Sequence, residues 1–457
     1  MRLNRSLWHG GLLALLAALW LAAQPGLTQA GAQLFVPGAE ADGPSITAAL
    51  SGDGRLTAFA SEATNLVPGD RNNLQDIFVR DNQTGETTRV SVGPGGAEAD
   101  GYSELPAFSA DGRYVAFQSV ASNLVPLDNN MESDVFIHDR QTGLTERVSV
   151  ASDGAQAAGP SWEPAISADG RYVAFTSAAG NLDGPDDNFG SDIFVHDRQT
   201  GQTERVSVNS AEQQAFGDAQ RPAISATGRY VAFSSWAGDL VANDKNDVED
   251  VFVRDRQAGT TTRVSVRGNG DEAVGESYDP SLSADGRYVA FWSYDGELGG
   301  EPAGSLGAVY VHDRQTGSTE LVSRAAGGPP DSGSFYPAIS DDGRYVAFES
   351  EASNLAPADD NAASDIFLYD RQAGQVTRLS LGGAGGGNAE SHAPAISAAG
   401  RFVAFDSRAT NLVAGDQNGV VDVFRRDRDA GITARVSLAS AAAPIQPSRV
   451  YLGYISR

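Results

Sequence analysis

The sequence SADGRYVAFTS, at residues 167–177, joins a short turn to a strand of mostly apolar residues. Asp-Gly between apolar runs is a strong signal for a tight hairpin turn. The segment from Val173 to Phe175 is apolar at successive positions, which is typical of a strand covered on both faces of its sheet. This stretch therefore predicts a β-hairpin that needs neighbours on both sides.

The same stretch recurs at a nearly constant period along the chain. Self-similarity at a fixed period is the signature of a repeat architecture. Each of the seven modules reads as four strands, which in the third module are PAIS, RYVAFTS, DIFVHD and TERVSV. Four-stranded units with two covered faces can pack by standing around an axis, so we predict an all-β fold, a seven-bladed β-propeller of four-stranded antiparallel blades. The turn glycines are Gly54, Gly112, Gly170, Gly228, Gly286, Gly343 and Gly400.

The two ends of the chain differ from the modules. Arg2 and Arg5 precede an apolar run, and small residues follow it, which is typical of a secretory signal peptide at 1–32. The apolar run is shorter than the ~20 residues that span a bilayer. We expect a lead segment at 33–42, the propeller at 43–438, and an Ala/Pro linker with an apolar C-terminal segment at 439–457. An exported chain is expected, located in the periplasm, on the cell surface or outside the cell.

The charge balance limits the partners of the chain. Lys and Arg number 33 against 59 Asp and Glu, a formal net charge of -26, and there is no cysteine. The lack of cysteine excludes disulfides, thiolate metal sites and a cysteine nucleophile. An acidic surface repels nucleic acids and anionic membranes and attracts cations and basic partners. We therefore expect a monomer with no nucleic-acid partner and no membrane insertion.

The modules resemble the TolB-type, WD-like propeller repeats of exported bacterial proteins. The resemblance covers residues 43–438 and is carried by a Pro-x-x-Ser-x-Asp-Gly turn, an apolar strand and an Ile-Phe-Val-x-Asp strand. It implies the propeller fold, but propellers host many functions. TolB itself carries an N-terminal domain and six blades, a pattern that this sequence does not follow.

Six modules carry an Asp, an Asn and an Asp at constant spacing in the loop between the second and third strands. In module five Pro302, Gly304 and Ala308 replace all three, and this joint loss suggests that the three residues act on one object. Calcium is one candidate, because it prefers six to eight hard oxygens. Asx-turns that satisfy loop amides are the other, and the sequence leaves both open. The candidate metal ligands are Asp70, Asn72, Asp76, Asp128, Asn130, Asp134, Asp186, Asn188, Asp192, Asp244, Asn246, Asp250, Asp359, Asn361, Asp365, Asp416, Asn418 and Asp422.

The two residues before the first-strand proline vary between modules, although the strand after them does not. The two long connections of each module lie on one face and the two tight turns on the other, so these residues are expected where the central channel opens among the long loops. Varied aromatic, charged and amide side chains on a constant frame are typical of a binding site. With two further aromatic residues of module five, the candidate ligand-binding residues are Glu104, Trp162, Glu163, Gln220, Arg221, Tyr278, Asp279, Phe335, Tyr336, His392, Trp292 and Tyr294.

The sequence shows no Gly-x-Ser-x-Gly, His-Glu-x-x-His or phosphate-loop motif. We therefore predict a non-catalytic binding or interaction scaffold for a protein, peptide or glycan ligand, and not an enzyme. The alternative is a carbohydrate-active or other hydrolase that uses acids at the channel mouth. Glu104 with Glu163, or Asp279 with Glu163, would then form the carboxylate pair.

Three further regularities are interpreted as structural. Arg55 and Asp81, with their six repeats, are 26 residues apart and are predicted to meet as cross-strand pairs. His138, His196 and His312 share one position and are expected to be solvated. An arginine in the outermost strand is expected to blunt edge-to-edge association, and it is Arg89, Arg147, Arg205, Arg263, Arg378 or Arg435.

Overall fold

A computed structural model describes residues 38–440, apart from 185, 187, 189, 301, 302, 304, 305, 326, 327, 358–360 and 384. The chain divides into two compact units, Met1–Phe35 and Val36–Arg457. All described residues belong to the second unit. The predicted signal peptide and nearly all of the predicted C-terminal segment lie outside them.

The fold is the predicted seven-bladed β-propeller. Each blade is a four-stranded antiparallel sheet formed by one continuous stretch of chain. The first strand of each blade packs against the first strand of the next, and the last blade packs against the first, so the inner strands surround a central channel. A short hairpin, β25 (Leu381–Gly382) and β26 (Gly385–Gly386), and a 3₁₀ helix at Pro94–Gly96 lie in connections between blades. The blades comprise β1–β4 (Ser45–Leu50, Leu56–Ser61, Asp76–Asp81, Thr87–Arg89), β5–β8 (Ser103–Phe108, Tyr114–Ser119, Asp134–Asp139, Leu144–Arg147), β9–β12 (Ser161–Ile166, Tyr172–Ser177, Asp192–Asp197, Gln202–Arg205), β13–β16 (Ala219–Ile224, Tyr230–Ser235, Asp250–Asp255, Thr260–Arg263), β17–β20 (Ser277–Leu282, Tyr288–Ser293, Ala308–Asp313, Ser318–Leu321), β21–β24 (Ser334–Ile339, Tyr345–Ser350, Asp365–Asp370, Gln375–Arg378) and β27–β30 (Ser391–Ile396, Phe402–Ser407, Asp422–Asp427, Ile432–Arg435).

The hydrophobic core lies between neighbouring blades. The second and third strands are buried at nearly every position, as their continuous apolar sequence predicts. Phe233 and Phe252 of blade 4 stack with ring centroids 6.0 Å apart. They pack against Ala174, Ile193 and Val195 of blade 3. Each blade therefore supplies the cover that the next blade needs.

The short-turn face, which carries both tight turns of every blade, is held by the predicted arginine–aspartate pairs. In blade 2, Arg113 Nη2 lies 2.6 Å from Asp139 Oδ2. The Arg113 guanidinium also lies 4.7 Å from the centroid of the Tyr114 ring, and that of Arg198 in blade 3 lies 4.3 Å from it. These contacts link neighbouring blades, so the prediction of structural cross-strand pairs is confirmed.

A circle of seven backbone hydrogen bonds constricts the channel on the short-turn face. One residue per blade donates its N–H to the carbonyl oxygen of its counterpart in the next blade, over 2.9–3.0 Å. The circle closes because the residue of blade 7 donates to that of blade 1. The cavity beside it measures only about 140 Å³. The seven residues are Gly52, Ala110, Ala168, Ala226, Ala284, Asp341 and Ala398.

The lead segment closes the ring at its outer side. Gly38 and Ala41 donate backbone hydrogen bonds to the carbonyl oxygens of Ala439 and Ser437, over 3.1 and 3.3 Å. The Glu40 carboxylate lies 2.9 Å from Arg435 Nη2 of blade 7. The segment before blade 1 therefore holds the end of blade 7, where its described residues form an isolated β-bridge between Glu40 and Leu438.

Candidate functional site

The channel opens on the long-loop face, where the two long connections of each blade lie, into a cavity of about 430 Å³. Seven residues, the third of each inner strand, surround this wide mouth. All seven have a left-handed backbone, with φ between 49° and 57°, and the pairing with the second strand shifts register there. Such a conformation costs a non-glycine residue of order 1–3 kcal/mol. The seven residues are Thr47, Leu105, Glu163, Arg221, Asp279, Tyr336 and Ala393.

Charged side chains of blades 3, 4 and 5 form one network at the mouth. The Arg221 backbone N–H donates to Glu163 Oε2 over 2.7 Å, and Arg221 Nε lies 3.1 Å from Asp279 Oδ1. Trp292 Nε1 donates to Asp279 Oδ2 over 2.6 Å. Burial raises the pKa of both Glu163 and Asp279. The network holds two carboxylates and one guanidinium in fixed positions.

A second network lies between blades 6, 7 and 1. His392 Nδ1 is 2.9 Å from Glu349 Oε1, and the Thr47 N–H donates to Asp406 Oδ1 over 3.3 Å. The hydrogen bond to Glu349 raises the pKa of His392. Burial raises the pKa of Asp406 to about 7. The sequence analysis did not predict Glu349 and Asp406. Both occupy the x of the second-strand motif RYVAFxS, which is the only position of that motif that varies among modules two to six.

The contribution of Asp406 to stability should fall as pH rises from about 4 to about 7, because the unfolded chain ionises Asp406 before the folded chain does. One such group contributes a slope of at most about 1.4 kcal/mol per pH unit. Asp406→Asn should remove this contribution. The free energy of unfolding of the variant, relative to wild type, should therefore increase up to about pH 7 and then level off. Unfolding midpoints at a series of pH values measure it. Parallel profiles would contradict the assignment, and the same comparison in a His392→Gln background removes the titration of the imidazole.

An aromatic wall of blades 5 and 6 flanks the mouth. The Trp292 ring centroid lies 4.7 Å from that of Tyr278, 5.1 Å from Tyr294 and 5.0 Å from Phe335. Trp292 is buried, whereas Tyr294 and Tyr336 are 43% and 50% exposed. Aromatic side chains with this exposure offer apolar contact area to a ligand.

The predicted ligand-binding residues divide into three groups. Glu163, Arg221, Asp279 and Tyr336 line the wide mouth. Tyr278, Trp292, Tyr294 and Phe335 belong to the aromatic wall. The remaining four are paired with the second strand and do not line the cavity; Gln220, for example, donates to Glu249 Oε1 over 2.9 Å. They are Glu104, Trp162, Gln220 and His392.

The Asp-x-Asn loops surround an arginine side chain. In blade 4, Arg263 Nη1 lies 3.1 Å from Asp244 Oδ1 and 3.0 Å from Asp250 Oδ2, and Nη2 lies 2.9 Å from Glu272 Oε2. Asn246 Nδ2 donates to Asp250 Oδ2 over 2.9 Å. The guanidinium thus lies between the carboxylates that were predicted to hold an ion.

Equivalent arginine contacts recur in the other five modules with these loops. Arg89 contacts Asp70 and Asp76, Arg147 contacts Asp128 and Asp134, and Arg435 contacts Asp416 and Asp422. Arg205 lies 3.4 Å from Asp192, and Arg378 lies 2.5 Å from Asp365. Asp186 accepts from Gln214, and Asp359 lies outside the described residues. Asn72, Asn130, Asn188, Asn361 and Asn418 donate to a backbone carbonyl oxygen, as Asn246 also does.

The interpretation of the fourth-strand arginines as exposed edge charges is therefore wrong. The six side chains are only 5–10% exposed, because the long loops fold over the outer strand. Blade 5, which lacks the acids, has Leu321 in place of the arginine, packed against Leu298 and Ala308. The sequence of module five already shows that the loop acids and the arginine are replaced together. Within the described part of the chain, no group of three or more His, Cys, Asp or Glu side chains is arranged to hold a metal ion.

The three strand histidines are also buried, contrary to the expectation that they are solvated. Each Nδ1 lies 2.9–3.0 Å from a threonine hydroxyl of the fourth strand. Burial lowers the pKa of His138, His196 and His312. They act as neutral hydrogen-bonding groups within the blades.

No family model matches the chain, and no curated protein is similar to it in sequence. Several solved structures share its fold. A prolyl endopeptidase matches with a TM-score of 0.53 and 13% identity, over 87% of this chain and 50% of that one. The propeller domain of the trilobed protease from Pyrococcus furiosus, described as an open velcro topology, matches with a TM-score of 0.53 and 12% identity, over 88% and 99%. This chain thus spans about half of the endopeptidase but nearly all of the isolated propeller.

TolB from Acinetobacter baumannii also matches, with a TM-score of 0.40 and 16% identity, over 73% of this chain and 65% of that one. A putative TolB from Agrobacterium tumefaciens is among the matches as well. The propeller of four-stranded antiparallel blades that the TolB-type resemblance implied is confirmed by the fold itself. Among the residues described, no helix is long and apolar enough to cross a membrane.

The prediction that the chain is not an enzyme is contradicted, because the same fold occurs in enzymes. The solved structures that share the fold include a prolyl endopeptidase, acylaminoacyl peptidases and an oligogalacturonate lyase. At 11–13% identity these matches show the fold alone. The lack of a catalytic motif in the sequence therefore does not decide between an enzyme and a binding protein.

Proposed function

We propose that this chain is an exported interaction protein that binds its ligand at the wide mouth of the propeller. The observation that carries the proposal is the set of seven left-handed residues within the inner strands. They present seven different kinds of side chain to one cavity, whereas the blades behind them are nearly identical. Strained backbone is often found where side chains must be held for a ligand.

The opposite end of the channel is a weaker candidate. The circle of backbone hydrogen bonds uses the N–H and C=O groups there, and the adjoining cavity is lined largely by alanine and branched apolar side chains. By contrast, the wide mouth contains carboxylates, a guanidinium and exposed tyrosine. Concave sites with a few fixed polar groups and aromatic walls are typical of ligand binding. The acidic charge supports a protein, peptide or glycan ligand over a nucleic acid.

Filling the mouth should abolish binding without unfolding the protein. Ala393→Tyr places at the mouth of blade 7 the residue that blade 6 carries at the same position, Tyr336. Gln257→Tyr, on an exposed turn of the short-turn face, is the matched control. Ligands are selected on wild type from a displayed peptide library and a glycan array. Affinity should fall about tenfold or more in Ala393→Tyr and stay unchanged in the control.

Equal binding by wild type and Ala393→Tyr, at equal unfolding midpoints, would contradict the proposed site. A similar loss in Gln257→Tyr would also contradict it, because it would place the ligand on the other face.

A further inference from the structure

Two loop positions on the long-loop face form a polar pair in four of the seven blades. An Asp or Asn before the inner strand is hydrogen-bonded to a Ser or Thr after the second strand. In blade 2, Ser122 Oγ donates to Asp100 Oδ2 over 2.7 Å. In blade 6, Ser353 Oγ donates to Asp331 Oδ2 over 2.6 Å. The other two pairs are Asp42 with Thr64 and Asn388 with Thr410.

Blades 4 and 5 replace this polar pair with apolar residues and glycine. Phe216 and Val274 stand at the position of the Asp or Asn, with Gly238 and Gly296 in place of the hydroxyl residues; blade 3 has the smaller Ala158 with Gly180. The residue two positions before each glycine is also aromatic, Trp236 or Tyr294, whereas blades 1, 6 and 7 have Glu62, Glu351 and Arg408 there. We name Phe216, Trp236, Val274 and Tyr294 the apolar arc; their exposures are 69%, 46%, 69% and 43%.

The Tyr294 end of the apolar arc adjoins the aromatic wall beside the wide mouth. The Trp236 and Tyr294 N–H groups donate to the carbonyl oxygens of Asp218 and Glu276, over 3.1 and 3.0 Å, so both occupy equivalent places in neighbouring blades. The Tyr294 ring lies 6.4 Å from that of Tyr278 in the aromatic wall. Six of the eleven exposed large apolar side chains in the described residues belong to the arc or to the adjoining parts of blades 5 and 6. Exposed apolar side chains concentrated on one part of a protein surface are typical of an interaction site.

The charges around the arc and mouth are mainly negative. Arg221 is already paired with Asp279, and the nearby acids include Glu163, Glu249 and Glu276. Opposite charge across an interface favours association and speeds encounter. A cationic partner is therefore better suited to this surface than an anionic one.

We propose that the apolar arc and the wide mouth bind a basic polypeptide segment with apolar side chains. This inference rests on the proposed function, because the mouth supplies the acidic part of the site. Val274 has no ring face for stacking on a sugar, and the most exposed arc residues offer only apolar contact. That favours aliphatic and aromatic side chains of a peptide over a glycan.

The experiment measures the affinity of short synthetic peptides by fluorescence anisotropy. The probes are a basic apolar peptide, an acidic peptide with the same apolar residues, a basic polar peptide and neutral oligosaccharides. Wild type should bind the basic apolar peptide about tenfold or more tightly than the other probes. Comparable affinity for the acidic peptide would overturn the inference.

The chain supplies its own variants for this test. Phe216→Asp with Trp236→Glu and Gly238→Ser gives blade 4 the residues of blade 6, Asp331, Glu351 and Ser353. Its affinity for the basic apolar peptide should fall about tenfold or more, although the surface becomes more negative. Asp331→Ala with Ser353→Gly, which removes the polar pair of blade 6, is the control and should keep full affinity. Should the triple variant not fold, Val274→Ser in blade 5 serves for the same measurement.

Two outcomes separate this inference from the proposed function. If wild type binds only oligosaccharides and Ala393→Tyr loses that binding, the mouth is a site but the peptide inference is overturned. If the arc variants and Ala393→Tyr all bind the basic apolar peptide like wild type, both are overturned.

Discussion

Replacing Arg263 with leucine is expected to lower the free energy of unfolding by about 3–5 kcal/mol. The substitution leaves Asp244, Asp250 and Glu272 without the guanidinium that lies within 3.1 Å of each. Burial already raises the pKa of Asp244 and Asp250, so removing the positive charge leaves two buried carboxylates uncompensated. Chemical denaturation of wild type and variant measures the change.

Blade 5 provides the matched rescue, because it has apolar residues at the same three positions. Arg263→Leu combined with Asp250→Ala and Asp244→Pro reproduces Leu321, Ala308 and Pro302, and should recover most of the lost stability. Replacement of a whole buried ion cluster by apolar residues is often neutral. Arg408→Leu, at an arginine whose side chain is 67% exposed, should change stability by less than about 0.5 kcal/mol. A small effect of Arg263→Leu alone would show that the cluster does not need the arginine.

The same samples separate arginine from calcium. If arginine is the cation of the loops, millimolar calcium or excess chelator should leave the wild-type melting temperature unchanged. An ion bound in several loops would instead raise it with concentration, by mass action. A rise that disappears with chelator would restore calcium as a ligand of these loops.

Removing residues 38–44 is expected to cost roughly 3–6 kcal/mol. The segment makes at least six hydrogen bonds to blade 7, each of which contributes on the order of 0.5–1 kcal/mol, and at least six to blade 1, three of them exposed to solvent. They include the contacts of Gly38 with Ala439, Ala41 with Ser437, and Glu40 with Arg435. Denaturation midpoints of chains that begin at Gly38 and at Ser45 give the difference.

Glu40→Gln is the point variant that tests one part of this closure, because it retains a hydrogen-bond acceptor but removes the negative charge beside Arg435. It should cost less than the full deletion. Equal midpoints for the chains that begin at Gly38 and Ser45 would show that the circle of backbone hydrogen bonds closes the ring unaided.

The fold was predictable because it follows from short sequence patterns within each module. The second strand, RYVAFxS in modules two to six, is largely apolar on both sides in all modules, so each module requires a neighbour on each face. The nearly constant period gives seven such modules. The strand order also predicts which face carries the long loops. No long-range information beyond the repeat is needed for either inference.

The site was predictable only in part, because a backbone detail decides which side chains line it. Glu163 and Asp279 are left-handed residues of the inner strands and line the cavity, whereas the residues before them, Trp162 and Tyr278, pair with the second strand. Sequence spacing does not reveal that conformation, since the preceding residue is just as variable. Asp406 was missed for a different reason: its strand was treated as uniform framework.

The arginine clusters were missed because an outer strand is ordinarily exposed. The long loops instead fold over it and bury Arg263. Module five carried the signal, since Leu321 replaces the arginine in the same module in which the loop acids are replaced. Comparing modules for residues that are lost together would have paired the arginine with the acids.

A crystal structure of the chain with a bound basic apolar peptide tests the central claim most directly. We predict peptide density in the wide mouth, with a cationic side chain beside the acids that surround the mouth and apolar side chains on Phe216 and Trp236. Density confined to the short-turn face, to the narrow end of the channel or to the outer strands of the blades would contradict it.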